Sequence, residues 1–247
     1  MNPNNKIAMV FDVETTGLLY MKYGKIPKLD ACPYVLQCSY ILYDLENHEI
    51  IKTMNSYVKI PMNVTIPPES TAIHGITREM CNSGREMADV LKELYEDYHT
   101  ASVLVAHNYK FDTTLLNIEF QRNWPRMRDV CPFSLNLFQP VYMKEREMDY
   151  ICTMESSVDL CKILFPERPV SPAATTSTIA ATTIKDRYKW PTLLELYRHL
   201  FNKTPENLHD SMMDCFVCLR CVLKVSCDHD LEESVFDDMV NSAINIK

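Results

Sequence analysis

The amino-acid sequence predicts an α/β protein whose layers enclose one mixed β-sheet. The amino-terminal part reads as three strands, two of them joined by a hairpin, and the rest alternates between short buried strands and amphipathic helices. A hairpin pairs its strands antiparallel, whereas strands that alternate with helices usually pair in parallel, and a sheet with both is a mixed sheet. A chain of 247 residues with 47% hydrophobic residues also has enough material for a sizeable core.

Each element follows from a local pattern of apolar residues. Apolar runs bounded by turn residues predict strands at 7–13, 34–44, 49–58, 102–106 and 150–154. Helical spacing predicts helices at 86–98, 111–122, 155–164, 191–201, 211–225 and 231–244, with Pro191 at a first helical position. Residues 59–70 contain three prolines and read as a loop. Residues 165–189 are rich in Ser, Thr, Ala and Pro, and we expect a mobile insertion there.

Composition and charge limit the classes of function. The net charge of −8 argues against a broad electrostatic grip on duplex nucleic acid, but not against an enzyme that holds a few nucleotides. No apolar stretch has the length of a membrane span. No secretory signal is visible, so we expect the ten cysteines to be reduced thiols of a protein in the cytoplasm or nucleus.

Five residues near the carboxyl terminus admit a metal-cluster interpretation. They are Cys215, Cys218, Cys221, Cys227 and His229. Cysteines three apart drift around a helix, and neither Gly nor Pro provides the tight turn on which zinc and iron–sulfur ligands usually lie. We therefore expect these cysteines to be thiols of the core.

Two carboxylates stand at the end of the first strand. Asp12 and Glu14 are two residues apart, so their side chains point to the same face of the strand. Like charges beside a core are costly unless a cation joins them. The following Thr15, Thr16 and Gly17 turn the chain, and the glycine allows the backbone to approach a ligand closely.

Further polar residues follow other elements of the same kind. Asp112 begins a helix just after the strand 102–106, so it can face Asp12 if the two strands are neighbours. Asp210 is a suitable N-cap for the helix 211–225, which places Asp214 in its first turn. His209 then lies just outside that helix, where a side chain can meet both substrate and solvent.

Three segments in this order resemble the motifs of DEDDh-type 3′–5′ exonucleases. They are FDVETTGL (11–18), HNYKFD (107–112) and HDSMMD (209–214), and IHGIT (73–77) is also similar to a segment of that superfamily. The superfamily is DnaQ-like and includes the proofreading subunit of the bacterial replicative polymerase. The resemblance spans residues 7–227. It implies an RNase H-like three-layer fold, with a five-stranded mixed β-sheet flanked by helices, over residues 1–228, and leaves 229–247 as an amphipathic helix of unknown role.

The resemblance also implies roles for individual residues. Asp12, Glu14, Asp112 and Asp214 would bind two Mg²⁺ or Mn²⁺ ions, and His209 would be the general base. Carboxylate oxygens are the ligands that these ions prefer, and four carboxylates balance the charge of two divalent ions. Contacts to the terminal nucleotide are implied for Thr15, Thr16, Gly17, His74 and Asn108.

These observations together predict a metal-dependent exonuclease. It would release nucleoside monophosphates from 3′ ends, with DNA favoured. Single-stranded ends are expected rather than duplex ends, because an acidic surface binds duplexes poorly. Two alternatives stay open: an RNA exonuclease, and a non-catalytic nucleic-acid-binding adaptor with an exonuclease fold. The oligomeric state and recruitment by a polymerase are left undecided.

Two basic runs could hold phosphates or could be solvated faces. The first run comprises Arg122, Arg126 and Arg128, and the second Lys185, Arg187 and Lys189. Tyr188 and Trp190, beside the second run, could stack on bases, while Trp190 could equally anchor the next helix in the core.

Overall fold

The protein has a five-stranded mixed β-sheet in the strand order β3-β2-β1-β4-β5. A computed structural model describes residues 7–165 and 188–244. The strands are β1 (Ile7–Thr15), β2 (Val35–Asp44), β3 (Glu49–Tyr57), β4 (Val103–Ala106) and β5 (Asp149–Cys152). β1 and β2 pair antiparallel, as do β2 and β3, whereas β4 runs parallel to both β1 and β5. The predicted sheet is therefore confirmed, and β1 continues two residues beyond its predicted end.

Ten helices connect and cover the strands within the described residues. They are α1 (Pro68–His74), α2 (Arg78–Ser83), α3 (Met87–Tyr98), α4 (Tyr109–Met127), α5 (Pro140–Glu145), α6 (Thr153–Ser156), α7 (Val158–Cys161), α8 (Leu193–Phe201), α9 (Ser211–Ser226) and α10 (Glu233–Ile244). None of these helices combines the length and apolar character that a membrane span needs.

The two faces of β1 belong to two separate cores, because successive side chains of a strand point to opposite sides. Met9, Phe11 and Val13 pack with the apolar residues of α3 and α4. Ala8 and Val10 pack on the other face with the apolar residues of α8 and α9. Asp12 and Glu14 continue this second row, so the strand directs them to the side that α9 covers.

Several predicted elements were placed wrongly. Helices α1 and α2 lie in a region without a clear apolar period. Cys81 of α2 belongs to a small core with Leu36 and Ile76, and the Ser70 hydroxyl of α1 donates to the Thr16 carbonyl at 3.0 Å. The predicted helix 155–164 is instead two short helices, α6 and α7, separated at Ser157. Pro191 does not begin α8, because Thr192 caps that helix and exchanges hydrogen bonds with Glu195 in a capping box.

The carboxyl-terminal helix packs on the rest of the protein. Phe236 of α10 is buried, and Met239, Val240 and Ala243 contact the core that α9 forms. Val235 of the same helix is exposed. Whether residue 228 is a domain boundary stays a prediction, and most of the insertion predicted at 165–189 lies outside the described residues.

Candidate active site

The carboxyl ends of β1 and β4 bring the first three predicted carboxylates together. Asp12 lies opposite Ser39 of β2 and Glu14 opposite Gln37, so both acidic side chains stand on the central strand of the sheet. β4 pairs with β1 in parallel, and α4 begins three residues after β4 ends. The sequence predicted that Asp112 can face Asp12 if their strands are neighbours. They are, since β1, which contains Asp12, pairs with β4, which precedes Asp112.

Asp112 is buried at the start of α4. Asn108 has φ 75° and ψ 48°, a left-handed conformation that turns the chain abruptly from β4 into the helix. The Asp112 side chain is only 2% exposed. Backbone N–H groups of Val13 and of Asp112 itself donate to the carboxyl group, whereas Oδ2 has no hydrogen-bond partner among the described residues.

The amino-terminal end of α9 supplies the remaining predicted groups. Asp210 caps the helix, because its Oδ1 accepts from the N–H groups of Met212 and Met213 at 3.1 and 3.2 Å. Asp214 lies in the first turn, and its carboxylate accepts from the N–H of His209. His209 has φ 70° and an exposed side chain, as expected for a residue just before the helix.

Burial and mutual repulsion make the four carboxyl groups hard to ionise. Burial is the main cause in each case, and it raises the pKa of Glu14 to about 8 and that of Asp214 to about 7. The pKa values of Asp12 and Asp112 are raised well above the usual range, with further repulsion from Asp214. The convergence of residues distant in sequence thus creates an acidic site that is unfavourable when every group is charged.

His209 lies at the open side of this acidic site. One ligand atom each from Glu14, His209 and Asp214 lie within 4.8 Å of one another, a spacing at which they could hold a metal ion. The imidazole therefore stands beside two of the four predicted carboxylates while remaining accessible to solvent.

The donors present fit divalent cations. Among the described residues, neither Lys nor Arg forms an ion pair with any of the four carboxyl groups. Buried charges normally have a partner. Asp112 Oδ2 is buried and accepts no hydrogen bond from the described part of the chain. Hard oxygen ligands without a protein cation are the donor set that Mg²⁺ and Mn²⁺ prefer.

A buried amide that the sequence analysis missed fixes the start of α9 to the sheet. Gln37 is fully buried on β2, and its Nε2 donates to Asp210 Oδ2 at 2.9 Å. Its Oε1 accepts from the Ser211 N–H at 3.3 Å. Ser211 Oγ in turn donates to the Asp12 carbonyl at 2.8 Å. A buried polar residue opposite Glu14 was the available signal, but a single Gln within an apolar strand does not reveal its partners.

The residues after Glu14 line a cleft of about 760 Å³ that opens from the acidic site. Thr15, Thr16, Gly17 and His74 all line it. The side-chain hydroxyl of Thr15 donates to the Gly17 carbonyl at 2.8 Å, and Gly17 has φ 151°, a conformation that favours glycine. The structure thus brings four of the five predicted nucleotide contacts to one cleft, and those contacts stay predictions.

Hydrogen bonds on both nitrogens orient the His74 ring. Nδ1 accepts from the Ile76 N–H at 3.0 Å, so Nε2 carries the proton and donates to the Thr15 carbonyl at 3.2 Å. Burial lowers the pKa of His74, which keeps the ring neutral. His74 therefore braces the turn after Glu14, and the remaining ring surface faces the cleft.

The basic runs are only partly occupied by contacts within the protein. The Arg122 side chain is 11% exposed, pairs with Glu119 at 2.5 Å and stacks over the Tyr34 ring at 3.6 Å, so it is neither a solvated residue nor free for phosphates. Arg126 and Arg128 are exposed. Lys189 pairs with Glu195 at 2.6 Å. Lys185 and Arg187 lie outside the described residues. Trp190 is exposed, so its predicted role as a core anchor is wrong.

The cysteines of α9 belong to the core. Cys215, Cys218 and Cys221 are buried, and they form no metal-binding group with the other described residues. No cysteine forms a disulfide with another described residue. The interpretation as core thiols is confirmed for these three, whereas Cys227 is partly buried and packs against the same core. The cellular compartment stays a prediction.

A mixed sheet with acidic side chains gathered at the carboxyl ends of its central strands defines the class of RNase H-like nucleases. Within that class, the chain belongs to the exonuclease family RNase_T, since the sequence model of this family matches residues 9–222. The matched span contains the three motifs that indicated the family. The predicted membership of the DnaQ-like exonucleases is thereby confirmed.

Curated relatives come from bacterial DNA polymerase III. The chain is 36% identical over 117 residues to the PolC-type DNA polymerase III of Oceanobacillus iheyensis, a span of 46% of this chain and 7% of that protein. It is 26% identical over 161 residues to the DNA polymerase III subunit epsilon of Buchnera aphidicola subsp. Schizaphis graminum, a span of 60% of this chain and 63% of the relative. The match thus covers a small part of the first relative and under two thirds of the second.

Solved structures share the fold at low sequence identity. E. coli exonuclease I in complex with a dT13 oligonucleotide has a TM-score of 0.58 and 16% identity, and the match covers 96% of this chain and 44% of that one. A 3′-exonuclease that recognises the 3′ end of a histone mRNA stem-loop has a TM-score of 0.55 and 15% identity, with 91% and 83% covered. These similarities confirm the predicted RNase H-like fold.

Proposed function

We propose that the chain is a metal-dependent 3′–5′ exonuclease that releases nucleoside monophosphates from single-stranded ends, with DNA as the favoured substrate. The observation that carries this proposal is the convergence of four carboxyl groups on one site, those of Asp12, Glu14, Asp112 and Asp214. No lysine or arginine among the described residues forms an ion pair with them. Such a site costs folding free energy, and bound Mg²⁺ or Mn²⁺ would offset that cost.

The four carboxylates would hold two ions, and His209 would act on the attacking water. When bound, the ions would supply positive charge to the phosphate oxygens and acidify that water. His209 takes a proton from the water while the oxygen of that water forms a bond to the terminal phosphorus. The bond from phosphorus to the 3′ oxygen of the preceding sugar breaks, that oxygen gains a proton from solvent, and a nucleoside 5′-monophosphate leaves.

The local geometry suits the role of His209 as a base. Its backbone N–H donates to Asp214, which keeps the residue at the edge of the acidic site. Its exposed side chain can pass the proton on to solvent. A base at this position needs no large movement between turnovers, because the cap residue Asp210 fixes the turn that carries it.

The relatives favour DNA as the substrate. Both of those described above are named as parts of DNA polymerase III. RNA is the competing substrate, and matched oligonucleotides separate the two directly. Purified protein with Mn²⁺ should convert a 5′-labelled DNA 20-mer to a ladder of shorter products, and a matched RNA 20-mer more slowly. Equal or faster digestion of RNA would reverse the preference.

The non-catalytic adaptor is the alternative of another class. Asp12→Asn keeps the size of the side chain but removes a charge, so it should abolish the ladder while oligonucleotide binding in EDTA persists. Wild-type protein that binds both oligonucleotides yet leaves them intact with Mg²⁺ and with Mn²⁺ would contradict the exonuclease and support the adaptor.

A further inference from the structure

The chain between β1 and β2 contains a segment whose charge is opposite to that of the whole protein. Residues 18–28 read LLYMKYGKIPK and contain three lysines without an acidic residue, in a chain of net charge −8. Lys22, Lys25 and Lys28 are exposed and form no ion pair with a described residue. We call residues 18–28 the basic loop.

Both ends of the basic loop are fixed to the sheet and to α4. On one side, the Thr16 N–H donates to the Tyr34 carbonyl at 2.9 Å, and the Tyr34 N–H donates to Thr16 Oγ1 at 3.0 Å. On the other side, Arg122 donates to the carbonyls of Leu29 and Cys32 at 2.5 and 2.7 Å. The largely buried Arg122 side chain, 11% exposed, thus serves as an anchor for the base of this loop.

The tip of the basic loop is a tight turn. Tyr23 and Gly24 have φ values of 53° and 71°, and the Lys25 N–H donates to the Lys22 carbonyl at 3.1 Å. Two successive positive φ values are typical of a type I′ turn. The turn holds the Tyr23 ring outwards at 89% exposure, with the Lys22 ammonium 5.5 Å from its centre.

The basic loop forms one wall of the cleft at the acidic site. Leu18, Tyr20 and Pro27 line the same cleft as Glu14 and Gly17. Tyr20 is 78% exposed, although an aromatic ring of this size is usually at least partly buried. Exposed aromatic rings interleaved with lysines are typical of surfaces that bind single-stranded nucleic acid.

We propose that the basic loop binds the single strand that leads to the acidic site, upstream of its 3′ terminus. Tyr20 and Tyr23 stack on unpaired bases, and the three lysines contact phosphates. The loop thereby gives an acidic protein a local attraction for a polyanion and a preference for unpaired bases. The inference deepens the proposed function, on which it rests for the position of the reacting 3′ end.

Binding to a fluorescein-labelled dT15 oligonucleotide in EDTA tests the loop without cleavage. Each phosphate contact contributes about 0.7 to the slope of log affinity against log salt concentration for single strands. Replacing Lys22, Lys25 and Lys28 together by Ser should therefore make that slope shallower by about 2. Tyr20→Ala combined with Tyr23→Ala should weaken binding about tenfold or more while leaving the slope unchanged.

A matched control separates the loop from net charge. Replacing exposed Lys92, Lys162 and Lys203 by Ser changes the charge by the same amount elsewhere and should leave the slope within experimental error. Equal losses in the two lysine variants would overturn the inference. Wild-type affinity for dT15 in both loop variants would also overturn it. So would loop variants that keep their dT15 affinity but bind phosphatidylserine vesicles more weakly than the wild type does.

Turnover of a dinucleotide distinguishes this inference from the proposed function. A dinucleotide occupies the acidic site but is too short to reach the tip of the loop, so the lysine variant and the single Tyr23→Ala variant should hydrolyse it at the wild-type rate. Tyr20→Ala is left out of this comparison, because Tyr20 lines the cleft beside Glu14. If wild-type protein cleaves neither substrate but the loop variants lose dT15 affinity, the exonuclease proposal fails and the loop inference stands. If wild-type protein cleaves both and loop variants bind dT15 normally, only the loop inference fails.

Discussion

At the scale of single residues, ionisation of the carboxyl groups in the acidic site opposes folding. Glu14 and Asp214 are partly buried, and their pKa values are raised to about 8 and about 7. Desolvation is the larger cause and repulsion by neighbouring carboxylates the next. Because these groups hold protons more tightly in the folded chain than in the unfolded chain, metal-free stability must depend on pH.

The first prediction concerns that dependence. Below the unfolded pKa values, near pH 4, these carboxyl groups do not oppose folding. As the pH rises towards 8 the folded site must ionise, so the free energy of unfolding of the metal-free protein should fall between pH 5 and 8. Chemical denaturation in EDTA across this range measures the fall, and saturating Mn²⁺ should reduce it.

A variant identifies the source of the effect. Glu14→Gln removes one of the groups with a raised pKa, so it should stabilise the metal-free protein at pH 8 by on the order of 1–2 kcal/mol. At pH 5 the same substitution should change stability little. A metal-free protein whose stability rises steadily from pH 5 to 8 would show that these carboxyl groups are not buried together.

The second prediction separates the base from the metal ligands. His209→Ala should reduce turnover by about a hundredfold or more, since general bases typically contribute this much. It should leave Mn²⁺ binding nearly intact, because the proposal assigns the ions to the four carboxylates and the backbone N–H of residue 209 still donates to Asp214. A large loss of Mn²⁺ affinity would instead make the imidazole a metal ligand. Single-turnover kinetics measure the rate of cleavage, and a titration with Mn²⁺ on the same preparation measures the metal affinity. A fully active variant would remove His209 from the mechanism.

At the scale of elements, the position of α9 decides whether the site forms. This helix carries Asp214, and the hydrogen bonds of Gln37 fix its first turn to β2. Ser211 fixes the same turn to β1 through the Asp12 carbonyl. The two halves of the acidic site are therefore held at a set distance by polar contacts within the core.

The third prediction tests Gln37 as a positioning residue. Gln37→Met keeps the side-chain volume but leaves the Ser211 N–H and Asp210 without their partner, which costs about 1–3 kcal/mol. Mn²⁺ affinity and kcat should both fall, with little change in KM. Gln121→Met on the exposed surface of α4 is the matched control and should behave as wild type. Lower stability with wild-type kcat would make Gln37 merely structural.

The fourth prediction concerns the contact between α9 and α10. Arg220 is 4% exposed, donates to the Tyr197 hydroxyl at 2.5 Å, and lies over the Phe201 and Phe236 rings. Its Nη2 pairs with Glu233 at 2.8 Å. Arg220→Met should therefore destabilise the protein by on the order of 3 kcal/mol, measured by chemical denaturation.

Glu233 provides the contrast for Arg220. Its side chain is 41% exposed, so most of its charge stays solvated and Glu233→Gln should cost less than about 1 kcal/mol. If both substitutions had the same effect, the ion pair rather than the buried aromatic and hydrogen-bond contacts would hold α10.

At the scale of the whole molecule, the sequence predicted the central strands and the site better than it predicted the smaller helices. Asp12, Glu14 and Asp112 could be placed because strand ends and helix starts have local signals. Helices α1 and α2 have no such period, since each is held by contacts to residues distant in sequence: Ser70 of α1 donates to the Thr16 carbonyl, and Cys81 of α2 shares a small core with Leu36. Gln37 was missed for the same reason, because its importance comes from partners on α9.

The position of the basic loop also arises at this scale. Lysines and tyrosines after Gly17 read as an ordinary surface segment in one dimension. Only the pairing of Thr16 with Tyr34 and the hydrogen bonds of Arg122 to the carbonyls of Leu29 and Cys32 turn that segment into a fixed wall beside Glu14. Folding thus places a basic stretch of an acidic chain next to the acidic site.

Calorimetric titration of metal-free protein with Mn²⁺ tests the central claim most directly. Four converging carboxylates predict two ions per chain for the wild type, and weaker or partial binding for Asp112→Asn. Protein that binds no Mn²⁺, or an Asp112→Asn variant with the same number of sites and the same affinity as the wild type, would contradict the claim.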